Sequence, residues 1–250
     1  MSVIVDLNCD MGEGYPDDET LMGLVSSANI ACGGHAGDEL TMRAAVRLCR
    51  KHGVAVGAHP SIADREGFGR RVEPFELSAI GSQVADQVAS LMGVALAEGV
   101  PLCHVKLHGA LYSLAARDLA IGASVLTALR RIGECRTLYT LAGSPFVGAA
   151  RVAGWRVAEE AFPDRSYRAD GSLAPRAAPG ALIGEPREVA RRALRMVRDG
   201  RVGSVDGADV VVHADTICIH GDEPHAVESA RAIRALFADQ GISVKRFGAA

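Results

Sequence analysis

Residues 3–14 read VIVDLNCDMGEG, a short apolar run that passes directly into carboxylates and glycines. The apolar part is typical of a strand that is covered on both faces, as the strands of parallel sheets are. Six further short apolar runs follow along the chain. We predict that the seven runs are strands: Val3–Asn8, Ala28–Cys32, Val54–Ala58, Leu102–Leu107, Leu138–Leu141, Trp155–Glu159 and Thr216–Ile219.

Segments with helical periodicity separate these strands. One apolar stripe runs from Leu77 to Ala95, and a shorter stripe ends at Gly53, which is placed as a C-cap. Pro186 and Pro224 stand where two further helices open. Alternation of strands and helices indicates a parallel α/β sheet.

The number of strands favours a closed or nearly closed barrel over an open sheet. Seven strands are predicted, or eight if Ser243–Phe247 is included, in a chain of 250 residues. Single α/β barrels commonly have about this length. No linker or shift in composition divides the chain, so we predict one barrel domain over residues 1–250. The segment Phe162–Gly180 lacks periodicity, and we predict that it is a lid or substrate-binding loop.

Composition excludes several classes of protein. The chain has 27 Lys and Arg against 30 Asp and Glu, a formal net charge of −3, so it lacks the basic field that nucleic acid or anionic lipid requires. No apolar run approaches the roughly 20 residues of a membrane span, and the first residues do not resemble a secretory signal. The six cysteines form no C-x-x-C pair. We expect a cytoplasmic protein with reduced thiols that binds neither nucleic acid nor membranes.

Polar side chains follow five of the predicted strands, most of them beside glycine. In a parallel barrel the carboxyl ends of the strands meet at one mouth, where active sites are assembled. We therefore predict a site at this mouth. Its candidate residues are Asp6, Asn8, Asp10, Glu13, His35, Asp38, His59, Lys106, His108, His220 and Asp222.

Single members of this set have structural alternatives. Asp38 and Asp222 are placed to cap the helices that follow them, and Asp6 can be a buried, satisfied carboxylate. Lys106 and His108 favour function more strongly, because their spacing puts both on one face of a strand. The prediction of a site rests on the recurrence of polar residues after five different strands.

Seven motifs give the chain a resemblance to the LamB/YcsF family. Together they span nearly the whole sequence, in order. Gly34, Leu107 and Pro163 replace the family's usual aromatic, proline and alanine, which we expect to change the shape of a pocket. The matching motifs are DLNCDMGEG (6–14), SANIACGGHAGD (27–38), GAHPS (57–61), GFGRR (67–71), VKLHGALY (105–112), FPDRSY (162–167) and TICIHGD (216–222).

The resemblance implies a distorted (β/α) TIM-like barrel, similar to those of glycoside hydrolases and deacetylases. It also implies hydrolysis of the cyclic amide 5-oxo-L-proline to L-glutamate, coupled to ATP hydrolysis, in a complex with 5-oxoprolinase subunits B and C. The chain has no G-x-x-x-x-G-K-S/T phosphate loop and no G-x-G-x-x-G fingerprint. ATP, with Mg²⁺, is therefore expected to bind mainly through the partner subunits. Further copies of the same chain remain an open alternative as partners.

Roles for the candidate residues follow from their charges under this resemblance. Arg165 suits the substrate carboxylate, which guanidinium binds through two parallel hydrogen bonds. Lys106 and His108 suit the oxyanion that forms at the carbonyl. Asp10 or Glu13 is the expected base. The rival proton-transfer groups are His35 and His59, and the expected substrate-binding residues besides Arg165 are Asp6, Asn8, Asp38, His220 and Asp222.

Two other functions are compatible with the same residues. A metal-dependent hydrolase such as a deacetylase would use the N and O donors to bind Zn²⁺ or a harder divalent ion. A non-catalytic binding protein within the complex would use the polar strand exits only to hold a ligand. The donors available to a metal are Asp6, Asp10, His35, His59, His108 and His220.

Overall fold

The structure, a computed structural model, describes residues 3–72, 77–133 and 135–249. Strands and helices alternate through most of this part of the chain. In chain order the strands are β1 (Ile4–Met11), β2 (Ser27–Ala31), β3 (Ala55–His59), β4 (Leu102–Lys106), β5 (Thr137–Leu141), β6 (Arg156–Ala161), β7 (Arg201–Gly203), β8 (Asp209–Val211), β9 (Thr216–Ile219) and β10 (Ser243–Val244).

Seven of these strands close into a parallel barrel. Their order around the barrel is β1, β2, β3, β4, β5, β6, β9. Strand β9 pairs with β6 and also returns to β1, where Asp6 lies opposite Thr216 and Cys9 opposite Ile219. The predicted barrel of about seven parallel strands is therefore confirmed.

The predicted strand bounds differ from the observed ones where a polar side chain turns inward. Strand β1 continues to Met11, past the predicted end at Asn8, because Asp10 finds partners inside the barrel. Strand β6 likewise continues to Ala161, with Glu160 buried. Ser243–Phe247 does not form an eighth strand of the barrel. Only the short β10 forms there, and it pairs with the first residues of β1.

Helices cover the outside of the barrel. Gly53 ends α2 in a left-handed conformation (φ 70°), and Pro186 stands in the first turn of α7, both as predicted. The last helix begins at Ala226, two residues after Pro224. The helices are α1 (Asp18–Met22), α2 (Glu39–His52), α3 (Leu77–Ala97), α4 (Gly109–Arg117), α5 (Leu119–Leu129), α6 (Pro145–Val152), α7 (Pro186–Asp199) and α8 (Ala226–Asp239). None of the helices in the described part of the chain is long and apolar enough to cross a membrane.

The alternation of side chains along β1 positions the site. Leu7 and Cys9 join the apolar core, whereas Asp6, Asn8 and Asp10 contact residues on other strands across the interior of the barrel. All five side chains are buried. The strand thus delivers a row of polar groups along the barrel axis toward its carboxyl-terminal mouth. The cysteines of the described residues form no disulfide bond with one another.

Candidate functional site

The bottom of the polar row is a satisfied carboxylate. Asp6 accepts hydrogen bonds from the hydroxyls of Ser26, Ser27 and Thr216 at 2.6–2.7 Å. Burial raises the pKa of Asp6 despite these bonds. The side chain is 1% exposed and lies below the other candidate residues. These contacts favour the structural alternative for Asp6 over a role in binding substrate.

A layer of amides lies above Asp6. The Nδ2 atom of Asn8 donates to Glu160 Oε1 at 2.9 Å and to Thr216 Oγ1 at 2.7 Å. The Oδ1 atom of Asn8 accepts from Asn29 Nδ2 at 2.7 Å and from Lys106 Nζ at 3.3 Å. Asn8 therefore positions Lys106 and Glu160, with every one of these groups inside the barrel.

Lys106 is the centre of the polar row. Its Nζ lies 2.8 Å from Asp10 Oδ1, 3.0 Å from Glu160 Oε1 and 3.0 Å from Cys218 Sγ. Burial alone would lower the pKa of Lys106, but the charge of Asp10 and its other acidic neighbours raises that pKa well above its usual value. The ammonium is therefore retained at neutral pH, and it also lies 5.5 Å from the ring centre of Phe162.

Asp10 is held as an anion. Its Oδ1 accepts from Lys106 and from Asn29 Nδ2, the latter at 2.8 Å, while its Oδ2 lies 3.2 Å from His59 Nε2. Burial opposes ionisation, yet His59 and Lys106 together lower the pKa of Asp10 well below its usual value. A carboxylate with so low a pKa is a weak base, and its strongest contact is with the ammonium.

Three histidines and one carboxylate form a cluster beside Asp10. The Oε1 atom of Glu13 lies 2.9 Å from His35 Nε2, 3.5 Å from His108 Nδ1 and 3.8 Å from His59 Nε2. His59 Nε2 and His108 Nδ1 face each other at 3.0 Å. The rings of His35 and His108 stack at 3.6 Å. We call Glu13, His35, His59 and His108 the histidine cluster.

Burial sets the protonation of this cluster. Burial is the largest cause that lowers the pKa of His35 to about 3 and the pKa of His108 well below its usual value. Burial and the charge of Asp10 raise the pKa of Glu13 well above its usual value. Each shift favours the neutral form, so His35 and His108 are neutral imidazoles at pH 7.

A buried carboxylate orients the last candidate histidine. His220 Nδ1 lies 2.7 Å from Asp164 Oδ2, which also accepts from the His220 backbone N–H at 3.2 Å. Burial opposes ionisation of Asp164, but His220 lowers its pKa below the usual value. Because Asp164 accepts, the Nδ1 of His220 carries a hydrogen, and in the neutral ring Nε2 is then the basic nitrogen. The imidazole stacks on Phe162, with 5.5 Å between ring centres.

A cavity of about 300 Å³ opens where these groups meet, at the carboxyl ends of the strands. This volume is at the small end of the range for ligand sites. Arg165 contributes a guanidinium that is 9% exposed; it donates to the Ala174 carbonyl at 2.8 Å, and its Nε has no hydrogen-bond partner among the described residues. The wall includes Asp10, His59, Lys106, Leu107, His108, Phe162, Arg165, Leu173, Arg176 and His220.

Two predicted site residues lie apart from the histidine cluster and Lys106. Asp222 forms ion pairs with Arg176 at 2.6 Å and with Arg70 at 2.7 Å, at the rim of the cavity. Asp38 is exposed and caps α2, with its side chain accepting from the Thr41 backbone N–H at 2.8 Å. The capping alternative thus describes Asp38, whereas Asp222 pairs with arginines and caps no helix. The other nine predicted strand-exit residues lie along the barrel axis or at its mouth.

Three residues of the site are not among those predicted from the sequence: Asn29, Glu160 and Asp164. Two of them lie in motifs that were noticed, Asn29 in residues 27–38 and Asp164 in residues 162–167. Glu160 lies one residue past the predicted end of β6. The usable signal was a polar residue in or just after an apolar strand. The five predicted strand exits belong to β1, β2, β3, β4 and β9, so they include neither Asn29, which lies inside β2, nor any residue of β6.

Among the residues that the structure describes, two sets of side chains bring donor atoms close enough together to hold a cation, with the atoms of each set within 4.8 Å of one another. The first is the histidine cluster. The second is Asp10, Cys218 and His220. In the second set Asp10 and Cys218 already contact the ammonium of Lys106, which supplies the positive charge there.

Comparison with known proteins gives one consistent result. The sequence profile of the LamB/YcsF family matches residues 5–250. The 5-oxoprolinase A subunit of Bordetella pertussis is 47% identical over 98% of this chain and 99% of its own length, and that of Chloroflexus aggregans is 49% identical over 96% and 98%. The crystal structure of the lactam utilization protein from Thermus thermophilus superposes with a TM-score of 0.90 at 46% identity, covering 98% of this chain and 100% of that one.

Proposed function

The chain belongs to the LamB/YcsF family, and on that premise we propose that it is the A subunit of a 5-oxoprolinase. In this proposal it opens the lactam ring of 5-oxo-L-proline to give L-glutamate. Relatives at 47–49% identity that are named as 5-oxoprolinase A subunits match over nearly their whole length.

One observation carries the proposal at the level of chemistry. A retained ammonium, an oriented imidazole and a guanidinium that forms no ion pair with the other described residues all line one small cavity; Lys106, His220 and Arg165 contribute them. A lactam with a carboxylate needs these three functions: a cation for the carboxylate, a positive charge for the carbonyl oxygen, and a group that moves protons.

Arg165 is proposed to bind the substrate carboxylate. The guanidinium is nearly buried, so an ion pair with it is little screened by water. Arg70 and Arg176, at the rim of the cavity, are already paired with Asp222. Arg165 therefore offers a donor that the substrate does not have to take from an existing ion pair.

Lys106 is proposed to stabilise the oxygen of the scissile amide. When water adds to the carbonyl carbon, negative charge moves to that oxygen, and a fixed positive charge stabilises it more strongly than the neutral carbonyl. The contacts with Asp10 and Glu160 hold the ammonium in place, so it does not have to be reoriented during the reaction.

His220 is proposed to transfer the proton. Its Nε2 takes a proton from water as the water oxygen bonds to the carbonyl carbon, and the resulting imidazolium gives that proton to the lactam nitrogen as the C–N bond breaks. Asp164 fixes the tautomer and stabilises the imidazolium. We prefer His220 to Asp10 as base because Lys106 and Asn29 already engage Asp10 and its pKa is held low.

ATP hydrolysis is proposed to drive the reaction from companion subunits B and C. A five-membered lactam is an unstrained amide whose opening is unfavourable, so it has to be coupled to a favourable reaction, and hydrolysis of ATP to ADP and phosphate is one. The sequence has neither of the two common glycine-rich phosphate-binding motifs. We therefore place ATP and Mg²⁺ mainly on the companion subunits.

The experiment is a glutamate-release assay with 5-oxo-L-proline, the purified chain, both companion subunits and ATP, omitting one component at a time. We expect release to require this chain together with ATP. The proposal is wrong if the complete mixture releases no glutamate, or if leaving out this chain does not change the rate. Tight stoichiometric binding of ATP by the isolated chain would contradict the assignment of ATP to its partners.

A further inference from the structure

We propose that the histidine cluster, formed by Glu13, His35, His59 and His108, binds one divalent transition-metal ion, with Zn²⁺ the best match to its donors. The inference rests on where the hydrogens of two imidazoles must lie and on the spacing of the donor atoms. It does not depend on which substrate the cavity accepts.

The backbone fixes the tautomers of two histidines. His59 Nδ1 lies 2.9 Å from the carbonyl oxygen of Lys106, and His108 Nε2 lies 2.9 Å from the carbonyl oxygen of Phe68. A carbonyl oxygen only accepts, so each of these nitrogens must carry a hydrogen. In the neutral rings the other two nitrogens, His59 Nε2 and His108 Nδ1, are then lone pairs.

These two lone pairs face each other at 3.0 Å, and both side chains are buried. Two acceptors at this distance repel unless a proton or a cation lies between them or beside them. A proton there would charge one of the imidazoles, which burial disfavours and the Asp10 carboxylate, with Oδ2 3.2 Å from His59 Nε2, favours. A divalent cation removes the conflict, because it accepts both lone pairs and leaves the hydrogens on the two carbonyl-bound nitrogens.

The spacing of the donors fits a tetrahedral ion. With metal–ligand distances of 2.0–2.1 Å, adjacent ligand atoms in a tetrahedral site are about 3.3 Å apart. Four pairs in the histidine cluster are separated by 2.9, 3.0, 3.5 and 3.8 Å, and all four donor atoms lie within 4.8 Å of one another. Three imidazole nitrogens and one carboxylate oxygen are donors that Zn²⁺ accepts.

The surroundings support the same conclusion. Ligand histidines usually donate their second ring N–H to a carbonyl or carboxylate, as His59 and His108 do here. The carboxylate of Asp10, with Oδ2 at 3.2 Å from His59 Nε2, adds a negative charge beside the histidine cluster. Among the four proposed ligands, only Glu13 can supply a negative charge of its own. His59 and His108 also line the cavity, so a bound ion would lie in its wall. There such an ion would act as a Lewis acid toward a carbonyl or phosphoryl oxygen.

The test measures metal and not activity. The chain is purified without an affinity tag, stripped with a chelator, dialysed, and titrated with ZnCl₂, with zinc per chain measured by mass spectrometry. We expect one Zn²⁺ per chain. Failure of the stripped, folded chain to take up stoichiometric Zn²⁺ would overturn the proposal and would indicate that one proton joins the two lone pairs.

X-ray absorption on the loaded wild-type chain identifies the ligands without any substitution. We expect three imidazole nitrogens and one carboxylate oxygen, at about 2.0–2.1 Å. A site with no imidazole, or with one, would overturn the proposal.

Two variants locate the ion. His59→Gln and His108→Gln should each weaken Zn²⁺ binding by more than about 100-fold, since even loss of a supporting contact costs 10–100-fold. His52→Gln, which changes an exposed histidine on α2, is the matched control and should bind as the wild type does. Wild-type affinity in both cluster variants would contradict the assignment. Glutamate release is measured separately, so a chain that binds Zn²⁺ but opens no lactam refutes only the proposed function.

Discussion

Replacing Lys106 by Met tests the role of the buried ammonium. Its Nζ lies 2.8 Å from Asp10 Oδ1 and 3.0 Å from Glu160 Oε1, and all three side chains are at most 8% exposed. The substitution keeps most of the side-chain volume and removes the charge. Two carboxylates are then left close together inside the barrel without their cation.

The expected cost follows from burial. Removing one partner of a buried ion pair costs about 3–5 kcal/mol of unfolding free energy, because the remaining charge stays desolvated. Lys51 provides a matched control: its Nζ lies 2.8 Å from Glu19 Oε1, but the two side chains are 62% and 64% exposed. Lys51→Met should cost less than about 1 kcal/mol. Both substitutions replace Lys by Met in an ion pair of the same length. The difference between their losses of unfolding free energy therefore measures the effect of burial.

Unfolding in urea gives the stabilities, and glutamate release by the assembled complex gives the activity. Adding Asp10→Asn to Lys106→Met should recover about 1–3 kcal/mol, since it removes one of the unpaired charges. Activity should fall by about 10²–10³-fold in the single variant and should not recover in the double variant. A loss of stability no larger than that of Lys51→Met, or glutamate release close to the wild-type rate, would contradict this role of the buried ammonium.

Three further predictions concern the mouth of the barrel. Asp164→Asn should lower kcat for glutamate release by about 10²–10⁴-fold with a small change in KM, because His220 loses the acceptor that fixes its tautomer. Arg165→Gln should raise KM for 5-oxo-L-proline by about 10–100-fold, the loss of one charge-assisted hydrogen bond, with a smaller effect on kcat. Burial alone would raise the pKa of Asp222, but its bonds to Arg176 lower that pKa from 3.8 to about 2. The folded pKa is thus below the unfolded one, so this carboxylate stabilises the fold above about pH 4 and stops doing so as the pH falls toward 2; Asp222→Asn should flatten the fall in Tm over that interval.

Each of these predictions has a control or a contrary result. Asp118→Asn alters an exposed helix cap, where Asn serves as well as Asp, and should leave kcat unchanged. If Asp164→Asn keeps a wild-type kcat, His220 is not oriented by that carboxylate. An unchanged KM in Arg165→Gln would remove Arg165 from carboxylate binding. A Tm profile for Asp222→Asn that parallels the wild type between pH 4 and 2 would show that Asp222 does not gain stability from its arginines.

The barrel was predictable because most of its strands are short apolar runs that are followed by a helix. Polar groups at strand exits were predictable for a related reason: parallel strands deliver their carboxyl ends to one mouth. The limits of the strands were less predictable, because Asp10 and Glu160 look like residues after a strand in the sequence and are interior residues of the barrel in the fold. A polar residue marks the end of such a strand only when its side chain finds no hydrogen-bond or ion-pair partner inside the barrel.

The same signal could not separate a capping residue from a site residue. Asp38 and His35 stand three residues apart after one strand, yet one caps α2 and the other joins the histidine cluster. Their direction depends on the turn between them, which the apolar pattern does not encode. Asp164 lies next to the predicted Arg165 in an irregular segment, but only its contact with His220, 56 residues away in the sequence, reveals its role.

The central claim is that the lactam ring opens in the cavity of this chain, and His220 gives the most direct measurement. Glutamate release is followed for a complex assembled with companion subunits B and C, ATP and a His220→Gln chain that has kept its Tm, alongside a His52→Gln control. We expect glutamate release to fall by about 10²–10⁴-fold for His220→Gln and not to change for the control. Glutamate release at the control rate from the His220→Gln complex would contradict it.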